Sequence, residues 1–378
     1  MSDINNPFVI KAYVSKELFC DREREIQLLE RNVRNGIDVT LVSPRRMGKT
    51  GLISRSFDEL GADSSIETLY VDIYASREIN DLIKMLAEAI LIKFPEKSTI
   101  GRRFMDYLKG MRPSISFDPL SGAPKVSIVH QDDQQKEYSL RSLLEFIDQQ
   151  KKTVLIAMDE FQQINNYPEK NTEALLRSYI QQLKNTRFIF CGSKRSLMID
   201  MFSNAKRPFY ASTQFLSLEP IERDTYAGFI REIFEKNKRE IMPEALEYIL
   251  DWSLLHTFYT QRLCNQVFAM GSRKIGIGEV KEACLLLLKS NESVYFQYRQ
   301  LLTPAQWNFL IALAKEGGAR QITAQDFLFR YGIGTPANAK RISESLIEKE
   351  LILSTPDLKG NTYRVYDVFL SRWLEREY

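Results

Sequence analysis

Eight consecutive residues, Ser43-Pro44-Arg45-Arg46-Met47-Gly48-Lys49-Thr50, set a pliable backbone, an ammonium and a hydroxyl side by side. They follow the pattern G-x-x-x-x-G-K-[ST], with Ser43 where the first glycine usually stands. The chemistry that suits this arrangement is polyphosphate binding. Backbone N–H groups of such a loop, and of the helix it opens, cradle phosphate oxygens. Gly48 lets the backbone come close to a phosphate. Lys49 is expected to reach the β- and γ-phosphates, and the Thr50 hydroxyl to ligate magnesium. Gly51 continues the same turn and is counted with the binding residues. The expected ligand is therefore a nucleoside triphosphate with Mg2+.

A second cluster lies about 110 residues on, where an apolar run ends in Met158-Asp159-Glu160. An Asp-Glu pair after a strand is common at helix starts and means little alone. After a phosphate loop it reads as the second half of a hydrolytic site. Asp159 would hold the magnesium shell through water, and Glu160 would orient or deprotonate the attacking water. A third run ends in Cys191-Gly192-Ser193, which offers Ser193 as a polar group beside Glu160. Ser193 suits either a γ-phosphate sensor or a helix N-cap. The catalytic candidates are thus Lys49, Glu160 and Ser193, and the metal candidates Thr50 and Asp159.

These groups need a scaffold that brings them together. Asp38–Val42 is a short β-branched run before the loop, and helical periodicity follows it. Strand patterns recur at 69–73, 154–158, 188–191 and 215–218, with helical patterns at 22–35, 79–92, 140–147 and 174–183. Alternation of this kind predicts an α/β fold with a parallel sheet covered by helices on both faces. Between about 97 and 135 the pattern breaks at Pro113, Pro119, Gly122 and Pro124, which predicts an inserted hairpin. Residues 223–291 read as helical, without a convincing strand. Beyond 303, helix signals at 304–315, 323–330 and 335–349 precede an apolar run at 351–354, a turn at Lys359-Gly360-Asn361 and an alternating β run at 362–369. That is the layout of a winged helix-turn-helix. The expected domains are 1–220, 221–296 and 297–378: a core, a helical lid and a winged helix.

Composition narrows the function classes. The chain has 378 residues and a net charge of +3, so it carries no overall attraction to nucleic acid or membrane. Its four cysteines are scattered and its two histidines few, which argues against a zinc site and for reduced thiols in the cytoplasm. The opening residues lack a signal-peptide pattern, and no run is long enough for a membrane span. Residues 303–378 hold ten basic and nine acidic side chains. DNA readers normally carry a clear basic face, so charge does not favour DNA as a partner of this domain.

The chain resembles the P-loop ATPases found mainly in archaea and some bacteria, a branch of the STAND group within the AAA+-related NTPases. The motifs that carry the resemblance are Phe19-Cys20-Asp21-Arg22-Glu23, the P-R-R-M-G-K-T loop, M-D-E, and F-C-G-S followed by Ser196-Leu197-Met198. The resemblance implies a five-stranded parallel core, a lid, a winged helix, and ATP as the nucleotide, with Arg22 and its loop near the adenine. Three motifs depart from the family. Asp21 replaces a usual glycine. P-x-Y-G-R reads Pro208-Phe209-Tyr210-Ala211-Ser212, without its arginine. G-x-P-x-Y reads Leu255-His256-Thr257-Phe258-Tyr259. The expected function is a slow Mg-ATP-dependent switch. A DNA-binding regulator and a non-hydrolysing scaffold are the alternatives, and a protein client and self-association are the partners left open.

Overall fold

The computed structural model describes residues 6–11, 13–110, 113–357 and 360–378. Contacts divide the chain into two compact units, one of residues 11–220 and one of residues 1–10 with 221–378.

The first unit opens with α1 (Glu23–Arg34), followed by β1 (Val39–Val42), α2 (Lys49–Gly61), β2 (Ile66–Asp72) and α3 (Ile79–Lys93). Next come α4 (Thr99–Lys109), the hairpin β3 (Ser114–Phe117) and β4 (Pro124–Ser127), and α5 (Asp133–Asp148). It closes with β5 (Thr153–Asp159), α6 (Thr172–Ile180), β6 (Thr186–Gly192), α7 (Arg195–Ser203) and β7 (Gln214–Ser217). Among the described residues the main sheet has five strands in the order β2-β5-β6-β1-β7, and every pairing is parallel. β6 therefore lies between the strand that enters the phosphate loop and the strand that ends in Asp159.

Side-chain alternation then assigns the two faces. Leu155 and Ala157 of β5 and Ile189 and Cys191 of β6 pack with Leu52 and Ile53 of α2 and Ile26 and Leu29 of α1. Val154, Ile156 and Met158 face the opposite layer, with Leu82 and Leu86 of α3 and Leu143 of α5. Asp159, two residues after Ala157, consequently points to the side of α2.

Asp38 clips the start of β1 to both neighbouring strands. Its carboxylate accepts the Phe188 N–H at 2.8 Å, and its carbonyl accepts the Gln214 N–H at 2.8 Å. Burial pushes this carboxyl up to about 6, against the opposing pull of Arg187 and Arg177. A raised folded-state value means that the fold prefers the neutral acid, so this stabilisation is lost as pH rises through about 6. Asp38→Asn keeps an acceptor and removes the ionisation. Its melting temperature should exceed that of the wild type at pH 8, with the gain vanishing near pH 4. An equal gain at both pH values would contradict this reading.

The second unit contains α8 (Arg223–Lys236), β8 (Glu240–Ile241), α9 (Pro243–Trp252), α10 (Thr257–Ala269), β9 (Lys274–Ile275) and α11 (Ile277–Leu301). Then come α12 (Pro304–Lys315), α13 (Gln325–Arg330), α14 (Pro336–Glu348), β10 (Ile352–Asp357), β11 (Gly360–Val365) and α15 (Val368–Glu377). Three helices and an antiparallel hairpin form the winged helix, and the chain has a P-loop NTPase-like core ahead of it. No helix of the described residues is long and apolar enough to cross a membrane.

Several details differ from the sequence expectations. β8 and β9 pair over two residues each, in a stretch read as wholly helical; runs that short show no periodicity. Val368 and Phe369 do not extend the last strand. Asp367 accepts the N–H groups of Phe369 and Leu370 at 2.8 and 3.0 Å and starts α15 there. The inserted region contains the expected hairpin and also α4, whose N-cap Ser98 accepts the Gly101 N–H at 2.9 Å. The boundary drawn at 297 falls inside α11. Residues 6–10, assigned by sequence to the core, pack in the second unit, where Phe8 lies 4.9 Å from Phe234, centroid to centroid. Of the expected final turn, Lys359 lies outside the described residues.

Candidate nucleotide site

The phosphate loop begins where β1 ends. Val39–Val42 is buried throughout, which fixes the point from which Ser43 departs. Gly48, with φ of +95°, takes the N-cap position of α2 in a left-handed conformation that suits glycine. Ser43 is fully buried and is not among the residues with positive φ. Its position therefore does not require the glycine that the motif usually has. The Ser43 hydroxyl donates to the Pro44 carbonyl at 2.9 Å.

Lys49 is buried in the loop it serves. Its ammonium has three long contacts of 3.4 Å, to the Ser43 carbonyl, the Ser43 hydroxyl and the Pro44 carbonyl. Burial holds its pKa below the usual lysine value, while Cys191, Asp159 and Glu160 pull the other way. Among the described residues its hydrogen-bond partners are long and neutral, an environment suited to an anionic ligand. Around it, Arg45 is partly exposed, Arg46 exposed with φ of +63°, and Met47 buried. Met47 thus shapes the loop from inside. Gly51 gives room to the first motif: a Cβ there would lie 3.1 Å from the Phe19 ring.

Asp159 is the hub of the acidic cluster. Its Oδ2 accepts from the Thr50 hydroxyl at 3.2 Å and from the Tyr70 hydroxyl at 2.6 Å. Its Oδ1 accepts from the Glu160 N–H at 2.9 Å and the Cys191 thiol at 3.3 Å. Glu160 follows in a left-handed conformation, φ +57°, which costs a non-glycine residue about 1–2 kcal/mol and is typical of functional sites. Its Oε2 accepts from the Ser193 hydroxyl at 2.8 Å, from the Ser193 N–H at 3.3 Å and from Gln162 Nε2. Ser193 therefore points at Glu160. The N-cap alternative fails, because Lys194 occupies that position of α7.

Thr50 and Asp159 are a hydroxyl and a carboxylate 3.2 Å apart, the oxygen donors that magnesium takes when water and phosphate complete its shell. The donor set fits that ion. Asp72 adds a carboxylate on the neighbouring strand, in register with Asp159. Burial raises its pKa, and the like charges of Asp159 and Glu160 add to the shift.

Arg22 stands at one side of this arrangement, buried and occupied. It donates to Glu25 at 2.8 Å and to the Glu219 carbonyl at 2.8 Å. Arg55 of α2 reaches the same loop, bonding Glu23 at 2.7 Å and the Asp21 carbonyl at 2.9 Å. The helix that opens with Lys49 and Thr50 thus also anchors the Phe19–Glu23 motif. Arg22 shapes that motif and spends its charge inside it.

The three motifs that depart from the resembled pattern share a backbone feature. Asp21, Ala211 and Leu255, one in each, have φ of +58°, +51° and +56°, the left-handed region that favours glycine. Ser212, in place of the usual arginine, donates to the Phe209 carbonyl at 2.7 Å.

Sequence reasoning missed Tyr70, Cys191 and Gln162 as members of the site. Tyr70 had a usable signal: in an open parallel sheet, residues near the carboxyl ends of the strands border the ligand crevice.

Comparison with known proteins bears on the family and the fold. A family model described as an ATPase domain predominantly from Archaea matches residues 19–255, and one described as a probable winged helix domain matches residues 293–376. Among solved structures, the chain is similar to a Walker-type ATPase of Pyrococcus abyssi, at 18% identity over 97% of this chain and 99% of that one, with a TM-score of 0.67. It is also similar to the ORC2 protein of Aeropyrum pernix in ADPNP-ADP complexes, at 16% identity over 98% and 95%, with a TM-score of 0.59. The ORC1 protein of the same organism in complex with DNA gives 13% identity over 95% and 93%, with a TM-score of 0.51. At such identities the likeness concerns the fold. No curated protein matches the chain by sequence.

Proposed function

The chain belongs to the family of ATPase domains found predominantly in Archaea, and from that premise we propose that it is a slow, magnesium-dependent ATPase working as a nucleotide-dependent switch. One observation carries this reading: Lys49, Thr50, Asp159, Glu160 and Ser193 converge at the carboxyl ends of β1, β5 and β6.

Loop N–H groups and Lys49 would bind the phosphates, and Thr50 and Asp159 would hold magnesium. The ion, when bound, supplies positive charge against the phosphates. Glu160 would accept a proton from the attacking water, and because its three hydrogen bonds all fall on Oε2, Oε1 can take that proton with the Ser193 and Gln162 donors in place. Ser193 would offer its hydroxyl to the γ-phosphate by turning it away from Glu160.

Hydrolysis without an arginine finger is slow, and a finger adds on the order of 10³–10⁵ in rate. Ser212 supplies no such charge. Arg207 is committed to Glu173 at 2.8 Å and Asn165. We therefore expect turnover well under about 1 s⁻¹ in steady-state phosphate release, by comparison with intrinsic GTPases. Tens per second would refute the slow-switch reading and make Arg195, at the start of α7, the first side chain to replace.

The nearly even charge of residues 303–378 favours a protein contact over DNA for the winged helix. Membership of the STAND branch, a protein client and a homo-oligomer belong to the same proposal. So does a cytoplasmic setting, which the buried free cysteines support.

A further inference from the structure

We propose that Tyr70 is a positioning residue for the magnesium carboxylate: its hydroxyl fixes the orientation of Asp159 and thereby sets the metal affinity of the site. This inference rests on the nucleotide-site reading given above.

β2 is the edge strand of the sheet. Tyr70 lies opposite Ala157 and Asp72 opposite Asp159 in the parallel register with β5. Alternation turns Leu69 and Val71 into the layer of α3 and leaves Tyr70 on the other face, with Asp159. From there its hydroxyl donates to Asp159 Oδ2 at 2.6 Å. This is the shortest of the four hydrogen bonds that reach the carboxylate, the others being 2.9 to 3.3 Å.

The oxygen involved is significant. Oδ2 is also the atom that faces the Thr50 hydroxyl, so it is the oxygen nearest the other proposed metal ligand. A carboxylate oxygen can accept two hydrogen bonds, so Tyr70 can stay in place while a metal-bound water takes the second lone pair. Thr50 would present a hydroxyl lone pair to the ion, and its 3.2 Å bond to Oδ2, the longer of the two there, is the one such a water would displace. Tyr70 would keep Oδ2 oriented in either case, while the Glu160 N–H and the Cys191 thiol hold Oδ1. Outer-shell partners of this kind commonly contribute 10–100-fold to metal affinity.

Tyr70 is also 37% exposed. It lines an open cleft of about 590 Å³ along the sheet edge, with Phe57 of α2 and Met85, Ala89 and Ile92 of α3. The magnesium carboxylate is thus one hydrogen bond from the protein surface.

The test uses the full chain and the isosteric variant Tyr70→Phe, which removes only the hydroxyl. Tyr74→Phe, at an exposed tyrosine in the turn after β2, is the control. ATP affinity is titrated with and without Mg2+, Mg2+ half-saturation of phosphate release is measured at fixed ATP, and melting temperature is checked for each protein. Tyr70→Phe should raise the Mg2+ requirement about tenfold, leave metal-free ATP affinity and kcat at saturating Mg2+ near wild type, and melt normally. Tyr74→Phe should match the wild type throughout. A Mg2+ requirement in Tyr70→Phe within about twofold of wild type, with normal melting, would overturn the inference. A wild type whose ATP affinity does not respond to Mg2+ would instead overturn the site reading on which it rests.

Discussion

Lys49→Met should abolish tight Mg-ATP binding while leaving the fold intact. The ammonium is expected to make two charge-assisted hydrogen bonds to the β- and γ-phosphates. At roughly 1.5–3 kcal/mol each, their loss corresponds to about 10²–10⁴ in affinity. The structural cost should be small. Among the described residues the ammonium has three contacts of 3.4 Å to its own loop, and burial disfavours its charged form. Methionine keeps the stem and removes the desolvated charge. The melting temperature without nucleotide should therefore equal or exceed that of the wild type, and the ATP-induced shift should vanish. Calorimetry and thermal melts on one preparation check both halves. Unchanged ATP affinity would refute the site, and a collapsed fold would show that Lys49 has a structural role.

The second large effect is on turnover. Glu160→Gln should lower ATP hydrolysis by about 10²–10⁴, the usual contribution of a positioned general base. It should leave Mg-ATP affinity nearly unchanged, because Glu160 lies on β5's loop and not on the phosphate loop. Glu160 receives its three hydrogen bonds on one oxygen, and the amide oxygen of glutamine can accept the same set. Asp159→Asn should behave differently: its effect should appear in magnesium-dependent binding, since Asp159 faces Thr50. Equal effects of the two substitutions on binding and on rate would contradict this division of labour.

The chemistry of the site was legible in sequence to the extent that it is contiguous. Ser43–Thr50 and Met158–Glu160 are short runs in which each residue's role follows from its neighbours, and the strands that carry them are short, apolar and bounded. Ser193 was legible as a candidate only; its direction towards Glu160 depends on β6 lying beside β5, which is a tertiary fact. Tyr70 and Cys191 were hidden for the same reason. Each is an ordinary strand residue until the register sets Tyr70 opposite Ala157 and Cys191 on the face of α2. Gln162 was hidden because its space depends on Gly192, where a Cβ would come within 1.8 Å of its side-chain oxygen. Arg22 shows the reverse case, a charged residue that reads as available and is spent on Glu25 and the Glu219 carbonyl. The start of α15 was legible in principle, since Asp367 is an ordinary N-cap signal. The alternating residues just before it pointed to a strand instead.

The left-handed backbone at Asp21, Ala211 and Leu255 bears on the motifs that depart from the resembled family pattern. These residues take the conformation that a glycine adopts without strain, so the turn is compatible with the side chain present. Against that pattern the departure that changes the charge on offer is Ser212, in place of an arginine.

Hydrolysis of ATP by these residues is tested most directly by phosphate release from Mg-ATP by the wild-type chain and by Glu160→Gln, measured side by side at saturating nucleotide. The expected result is slow wild-type turnover clearly above a near-silent variant, with ATP bound to both. Wild-type release no faster than that of Glu160→Gln, with ATP bound to both, would contradict it.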